Sequence, residues 1–132
     1  MDCVFCEIVA GNIPCYKVYE DDNYLSFLDI RPLNLGHLLV IPKKHYRWVW
    51  DDENIWEYYK VVWKIANAMK KSLDTDYVVS LVFWEEVNHA HVWLVPRFSN
   101  DGHGASIDTS NVKDILEEKM KEIAEKISIN IS

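Results

Sequence analysis

The stretch Asn88-His89-Ala90-His91-Val92-Trp93-Leu94-Val95-Pro96 alternates two kinds of side chain. In a strand successive side chains point to opposite faces, so His89, His91, Trp93 and Val95 share one face while Ala90, Val92 and Leu94 share the other. An apolar face therefore backs an imidazole face. The β-branched and aromatic run from Tyr77 to Trp84 reads as an adjacent antiparallel strand, and Val87 to Val95 as the histidine strand itself, ended by Pro96.

Working outward, Tyr16 to Glu20 and Tyr24 to Leu28 flank an Asp21-Asp22-Asn23 turn as a hairpin, and His37 to Ile41 is a strand closed by Pro42. From a predicted N-cap at Asp52, the apolar residues Ile55, Tyr59, Val62, Ala66, Met69 and Leu73 recur at three- and four-residue spacing, a helix of about five turns. A last helix is predicted from Asn111 to Ile127, with Ile115, Leu116, Met120, Ile123 and Ile127 on one face. Asp2 is expected to cap a short first helix through Val9, which Gly11 ends. The order hairpin, strand, helix, two strands, helix, joined mostly by short turns, predicts an α+β fold with an antiparallel sheet covered by two main helices. With no repeat, linker or low-complexity tract, residues 1–132 read as a single domain.

A chain of 132 residues that is 49% hydrophobic and 13% aromatic can bury a real core. Fourteen basic against 21 acidic residues give a net charge of -7, which argues against duplex nucleic acid but leaves small nucleotides open. No apolar run approaches the roughly 18 residues of a spanning helix, so no membrane partner is expected. No basic region precedes an apolar stretch at the N-terminus, so a cytoplasmic location is expected. Three cysteines are too few for a disulfide framework. The Cys3-x-x-Cys6 pair reads as metal-binding or redox, or as two packed thiols, and Cys15 as a buried small hydrophobe.

Two of the five histidines lie on one strand face, with the other three and a CxxC elsewhere, which favours a site over hydrogen-bonded core imidazoles. Cys3-Val4-Phe5-Cys6, Phe27-Leu28-Asp29-Ile30-Arg31-Pro32, Gly36-His37-Leu38-Leu39-Val40-Ile41-Pro42-Lys43-Lys44-His45 and a terminal His-x-His-x-x-x-x-Pro strand follow one another in this order. In these four pieces, spread over nearly the whole chain, the sequence resembles the histidine triad (HIT) family of nucleotide hydrolases and transferases. The resemblance implies a five-stranded antiparallel sheet with two helices, a homodimer, and a small-molecule nucleotide substrate.

It also implies site residues. In the zinc-carrying members the ligands correspond to Cys3, Cys6, His45 and His89, a closed four-ligand set suited to structural zinc. His91 then takes the role of nucleophile on the α-phosphate of a purine nucleotide conjugate, forming a nucleotidyl-histidine; a neutral imidazole can attack without an activating base. His37 is the second candidate catalytic residue, set near His91 to fix its ring or the phosphate; its plainer role is a strand-end histidine bonded to the backbone. Asp29 and Ile30 are candidates for substrate binding, Asp29 at the ribose hydroxyls, and a turn carboxylate is its alternative.

The sequence also departs from the family pattern. Trp93 replaces the third motif histidine, and its indole N–H can donate a hydrogen bond but cannot carry a proton. It stands as a substrate-contact candidate or as an aromatic that fills space on the sheet. The segment Ser80-Leu81-Val82-Phe83-Trp84-Glu85-Glu86-Val87 lacks the family's glycine turn and Gly-Gln pair; Glu85 or Glu86 is a candidate general acid if protonated, and otherwise part of a solvated turn. These departures keep a catalytically impaired nucleotide- or partner-binding module as the alternative to an enzyme. Trp48, Trp50, Trp56 and Trp63 are expected in a dimer contact, or else packed beneath the sheet, and His103 in a flexible loop.

Overall fold

The computed structural model describes residues 3–83 and 87–131. Trp84, Glu85 and Glu86, and the proposed cap Asp2, lie outside the described residues. In chain order the elements are α1 (Val4–Val9), β1 (Lys17–Glu20), β2 (Tyr24–Leu28), β3 (Leu38–Pro42), a single 3₁₀ turn (Val49–Asp51), α2 (Ile55–Leu73), β4 (Val78–Phe83), β5 (His91–Pro96) and α3 (Glu117–Ile129). The strands form one antiparallel sheet, as the order of elements predicts, and its strand order is β1-β2-β3-β5-β4.

The adjacent interior strands β2 and β3 are buried along their whole length, because helices cover one face of the sheet and the α1 segment covers this part of the other. Tyr24, Leu28, Leu38, Val40, Ala90, Val92 and Leu94 point into the main core under α2 and α3. Leu25, Phe27, Leu39 and Ile41 point the other way, into a smaller cluster with Cys3 and Phe5 of the α1 segment and with Trp93. At roughly 1.5–3 kcal/mol for each large apolar side chain withdrawn from water, the helix-side core supplies most of the stabilisation. The opposite face, where α1 covers only part of the sheet, carries the candidate site residues His91 and Trp93.

Three boundaries differ from the sequence prediction. The helix α2 begins at Ile55 with Asn54 as N-cap, and its buried stripe runs through Tyr58, Val61, Val62, Ile65, Ala68 and Met69, one position round from the predicted face. Asp52 does not cap it: its buried carboxylate accepts from Tyr24 Oη at 2.8 Å and from the Asn54 N–H at 2.7 Å. The helix α3 begins only at Glu117, because the preceding segment is tied to the loop after β2 through Lys113 N–H and Pro32 O at 2.7 Å, and Leu116 is exposed. The strand β5 begins at His91; Ala90 leaves the ladder to donate its N–H to Tyr46 O at 2.7 Å. Trp50, Trp56 and Trp63 lie on the outside at 59%, 86% and 67% exposure, which removes the possibility that they pack beneath the sheet; Trp50 instead stacks on Tyr59. No helix among the described residues is long and apolar enough to cross a membrane.

Candidate functional site

Cys3 is the N-cap of α1, its sulfur accepting from the Cys6 N–H at 3.4 Å, so one helical turn brings both thiols to the same place. His45 follows β3 and His89 precedes β5, adjacent strands whose ends meet there. The four ligand atoms lie within 4.8 Å of one another. His89 Nδ1 is 3.4 Å from Cys3 Sγ and 3.5 Å from Cys6 Sγ, and His45 Nδ1 is 3.2 Å from Cys6 Sγ. Tetrahedral zinc with bonds of roughly 2.0–2.3 Å would separate a nitrogen and a sulfur ligand by about 3.5 Å, so the cluster fits the ion.

Protonation agrees with that fit. The buried His89 donates its Nε2–H to Pro42 O at 2.8 Å, which leaves Nδ1 as the lone-pair nitrogen facing the thiols. Burial, only partly offset by the bond to Pro42 O and reinforced by the positive forms of His45 and His91, holds its pKa down at about 4, so the ring is neutral near neutral pH. Without an ion, burial and the neighbouring Cys3 push the Cys6 thiol up to about 11; a cation among these groups reverses that balance and favours the thiolate.

Next to this cluster a cavity of about 400 Å³ opens between α1 and the sheet. His91, Trp93, Phe27 and Leu39 form its sheet side, Val4, Phe5 and Ile8 its α1 side, and Asp29, Ile30 and Arg31 one rim. The wall is mainly apolar, with a few polar groups converging on it. His91 is 5% exposed, and its Nδ1–H donates to His89 O at 2.8 Å, a bond to the residue two positions earlier that places the lone pair on Nε2. Phe5 sets its ring edge-on against both His89, at 5.8 Å, and His91, at 5.4 Å.

Of the predicted site residues, His91, Trp93, Asp29 and Ile30 meet at this cavity, whereas His37 is not part of its wall. His37 is buried against Trp93 with ring centroids 4.7 Å apart, its Nδ1 accepts from the Leu33 N–H at 3.0 Å, and its Nε2 lies 3.6 Å from Asp29 Oδ2. Burial pushes its pKa down to about 3, so the ring is neutral and offers no positive charge to a phosphate. Trp93 is also held edge-on by Phe83 at 5.1 Å. Cys15 is half-buried on the cavity wall rather than in the core, and desolvation raises its pKa.

Sequence reasoning missed the contribution of α1 to the cavity. The signal was present, since two metal ligands bracketing Phe5 must bring that residue beside His89. It also missed His103, which is half-buried and hydrogen-bonded through both ring nitrogens.

The family model described as HIT domain matches residues 10–100. The chain is 42% identical to a HIT-like protein of Borreliella burgdorferi, over 98% of this chain and 99% of that one. It is 33% identical to an adenosine 5'-monophosphoramidase of Schizosaccharomyces pombe, over 99% of each chain. Among solved structures, a zinc-bound histidine triad family protein from Mycobacterium smegmatis superimposes with a TM-score of 0.81 at 32% identity, covering 99% of this chain and 94% of that one.

Proposed function

The chain belongs to the HIT domain family, and we propose that it is a nucleotide hydrolase or nucleotidyl transferase that attacks the α-phosphate of a purine nucleotide conjugate with His91. The observation that carries this reading is the bond from His91 Nδ1–H to His89 O, which leaves Nε2 as the nucleophilic nitrogen of a residue on the wall of a base-sized apolar cavity. In the first half-reaction Nε2 forms a bond to the α-phosphorus, and the P–N or P–O bond to the leaving group breaks. The leaving group departs with the electron pair and takes a proton. In the second, water adds to the phosphorus and gives its surplus proton to solvent, the P–N bond to His91 breaks with its electron pair going to Nε2, the nucleoside monophosphate leaves, and the ring returns neutral.

Asp29 is assigned to the ribose hydroxyls, Ile30 and Trp93 to substrate contact, and His37 to positioning Asp29 as a neutral ring. Trp93 cannot supply the departing group's proton, so that proton comes from solvent water. Cys3, Cys6, His45 and His89 would hold zinc in a closed set; when bound, the ion supplies a structural anchor and no attacking water. The chain's own groups then keep the geometry: Cys3 and Cys6 fix α1, Phe5 rests on His91, and His89 O orients the nucleophile. This reading includes a cytoplasmic homodimer with the exposed tryptophan face of α2 against a second copy, checked by sedimentation of wild type against Trp56→Glu.

Steady-state release of AMP from adenosine 5'-phosphoramidate tests the assignment: turnover by the zinc-loaded wild type and none by His91→Ala is expected, and equal rates refute it. The packing of Trp93 between His37 and Phe83, with no ionisable group in its place, favours a second reading, a binding module without turnover. That reading expects AMP to bind wild type and His91→Ala alike with no product from either.

A further inference from the structure

The loop between β2 and β3 presents Asp29, Ile30 and Arg31 to the cavity. Its next carbonyls are outside the sheet ladder and are held instead by the segment that follows β5. The Lys113 N–H donates to Pro32 O at 2.7 Å. Leu33 O accepts twice, from His103 Nε2 at 2.7 Å and from Lys113 Nζ at 3.0 Å. Asn34 Nδ2 returns the connection, donating to Pro96 O at 2.8 Å and Asp101 Oδ2 at 2.9 Å.

The holding segment is itself fixed. Asp101 is gripped by Arg97 Nε at 2.8 Å and by the backbone N–H groups of Phe98 and His103 at 3.0 and 3.1 Å. His103 Nδ1 accepts from the Asp108 N–H at 3.0 Å, which assigns its proton to Nε2 and points that proton at Leu33 O. The path then continues inward: the Leu33 N–H donates to His37 Nδ1 at 3.0 Å, and His37 Nε2 faces Asp29 at 3.6 Å.

We propose that His103 is a positioning residue for substrate binding: its Nε2–H on Leu33 O fixes the loop that presents Asp29 to the nucleotide. The inference rests on the nucleotide reading above for its consequence but not for its geometry. His103 does not line the cavity, so it acts through Leu33, His37 and Asp29 rather than by contact. Lys113, donating to the same oxygen, shares the load, and removal of His103 loosens the loop without freeing it.

Two substitutions separate the two ring nitrogens. His103→Gln places an N–H donor where Nε2 stands and keeps the bond to Leu33 O, whereas His103→Asn places an acceptor where Nδ1 stands and keeps only the bond from Asp108. The zinc-loaded full chain of each is compared with wild type by hydrogen exchange of the peptide covering residues 29–37 without nucleotide, and by calorimetric titration with AMP. The expected result is faster exchange and about fivefold weaker AMP binding in His103→Asn, the net worth of one ordinary hydrogen bond, with His103→Gln close to wild type. Impairment of His103→Gln alone, equal loss in both variants, or no change in either overturns the proposal. The first would mean that His103 serves only its own loop, and the second that its bulk matters rather than its donor. Because exchange is read without ligand, a wild type that fails to bind AMP refutes the nucleotide reading while the exchange result still decides the positioning role.

Discussion

Replacing His37 by asparagine should remove one proton from the acid unfolding of this protein. The ring is 1% exposed, and burial carries its pKa from the ordinary 6.5 down to about 3. The Asp29 carboxylate 3.6 Å from Nε2 favours the charged form, but taking the whole ring out of water outweighs it. A folded-state pKa below the unfolded one means that the unfolded chain binds a proton that the folded chain refuses. The contribution of neutral His37 is therefore complete above about pH 6.5 and is lost progressively as the pH falls toward 3. The slope is about 1.4 kcal/mol per pH unit, so between about pH 6.5 and pH 4.5 wild type should lose roughly 2–3 kcal/mol through this group alone. Asparagine keeps an acceptor for the Leu33 N–H and does not titrate. Urea unfolding of both zinc-loaded proteins across that range measures the effect; the metal ligands titrate in both, and the difference isolates His37. Wild type should lose its advantage over the variant as the medium is acidified. Parallel stability curves would refute the neutral, buried ring and restore His37 as a possible cation at the phosphate.

Gly36 adopts φ of 95°, and a Cβ there would stand 2.6 Å from Leu73 Cδ1 and 3.3 Å from Pro96 Cγ. Gly36→Ala should therefore cost about 2–4 kcal/mol in denaturant unfolding, from left-handed backbone strain plus overpacking; a loss within experimental error would contradict the close approach. Cys6→Ser should remove the zinc found by metal analysis of gel-filtered protein and lower the thermal midpoint, whereas Cys15→Ser should leave the metal content unchanged, and full zinc content in Cys6→Ser would refute the ligand set.

The sheet was legible because period-two alternation and full burial leave few alternatives: Leu38 to Ile41 could be nothing but a covered strand, and its neighbours followed from their turns. Helix boundaries were less so. Asp52 carries every sequence mark of an N-cap, but a carboxylate that can reach Tyr24 Oη is better placed in a tertiary bond, and the helix starts at Ile55. The segment before α3 has helical periodicity yet is drawn away by Lys113 to satisfy the carbonyls of Pro32 and Leu33. His103 was unreadable for the same reason: the partner that ties it to the site, Leu33 O, is 70 residues distant in sequence and is a backbone group, which leaves no trace in side-chain pattern. The metal cluster was half legible, since a CxxC within one turn can be seen in any sequence, while the convergence of His45 and His89 depends on the β3–β5 pairing.

The central claim is that His91 Nε2 forms a covalent bond to the α-phosphorus of a nucleotide without a third histidine beside it. A single-turnover reaction of adenosine 5'-phosphoramidate with excess zinc-loaded protein, quenched in base so that an acid-labile phosphohistidine survives, tests it directly by intact-mass analysis. An adenylate on the wild type and none on His91→Ala is the predicted result. AMP release with no adduct in the wild type, or an adduct that persists in His91→Ala, would contradict it.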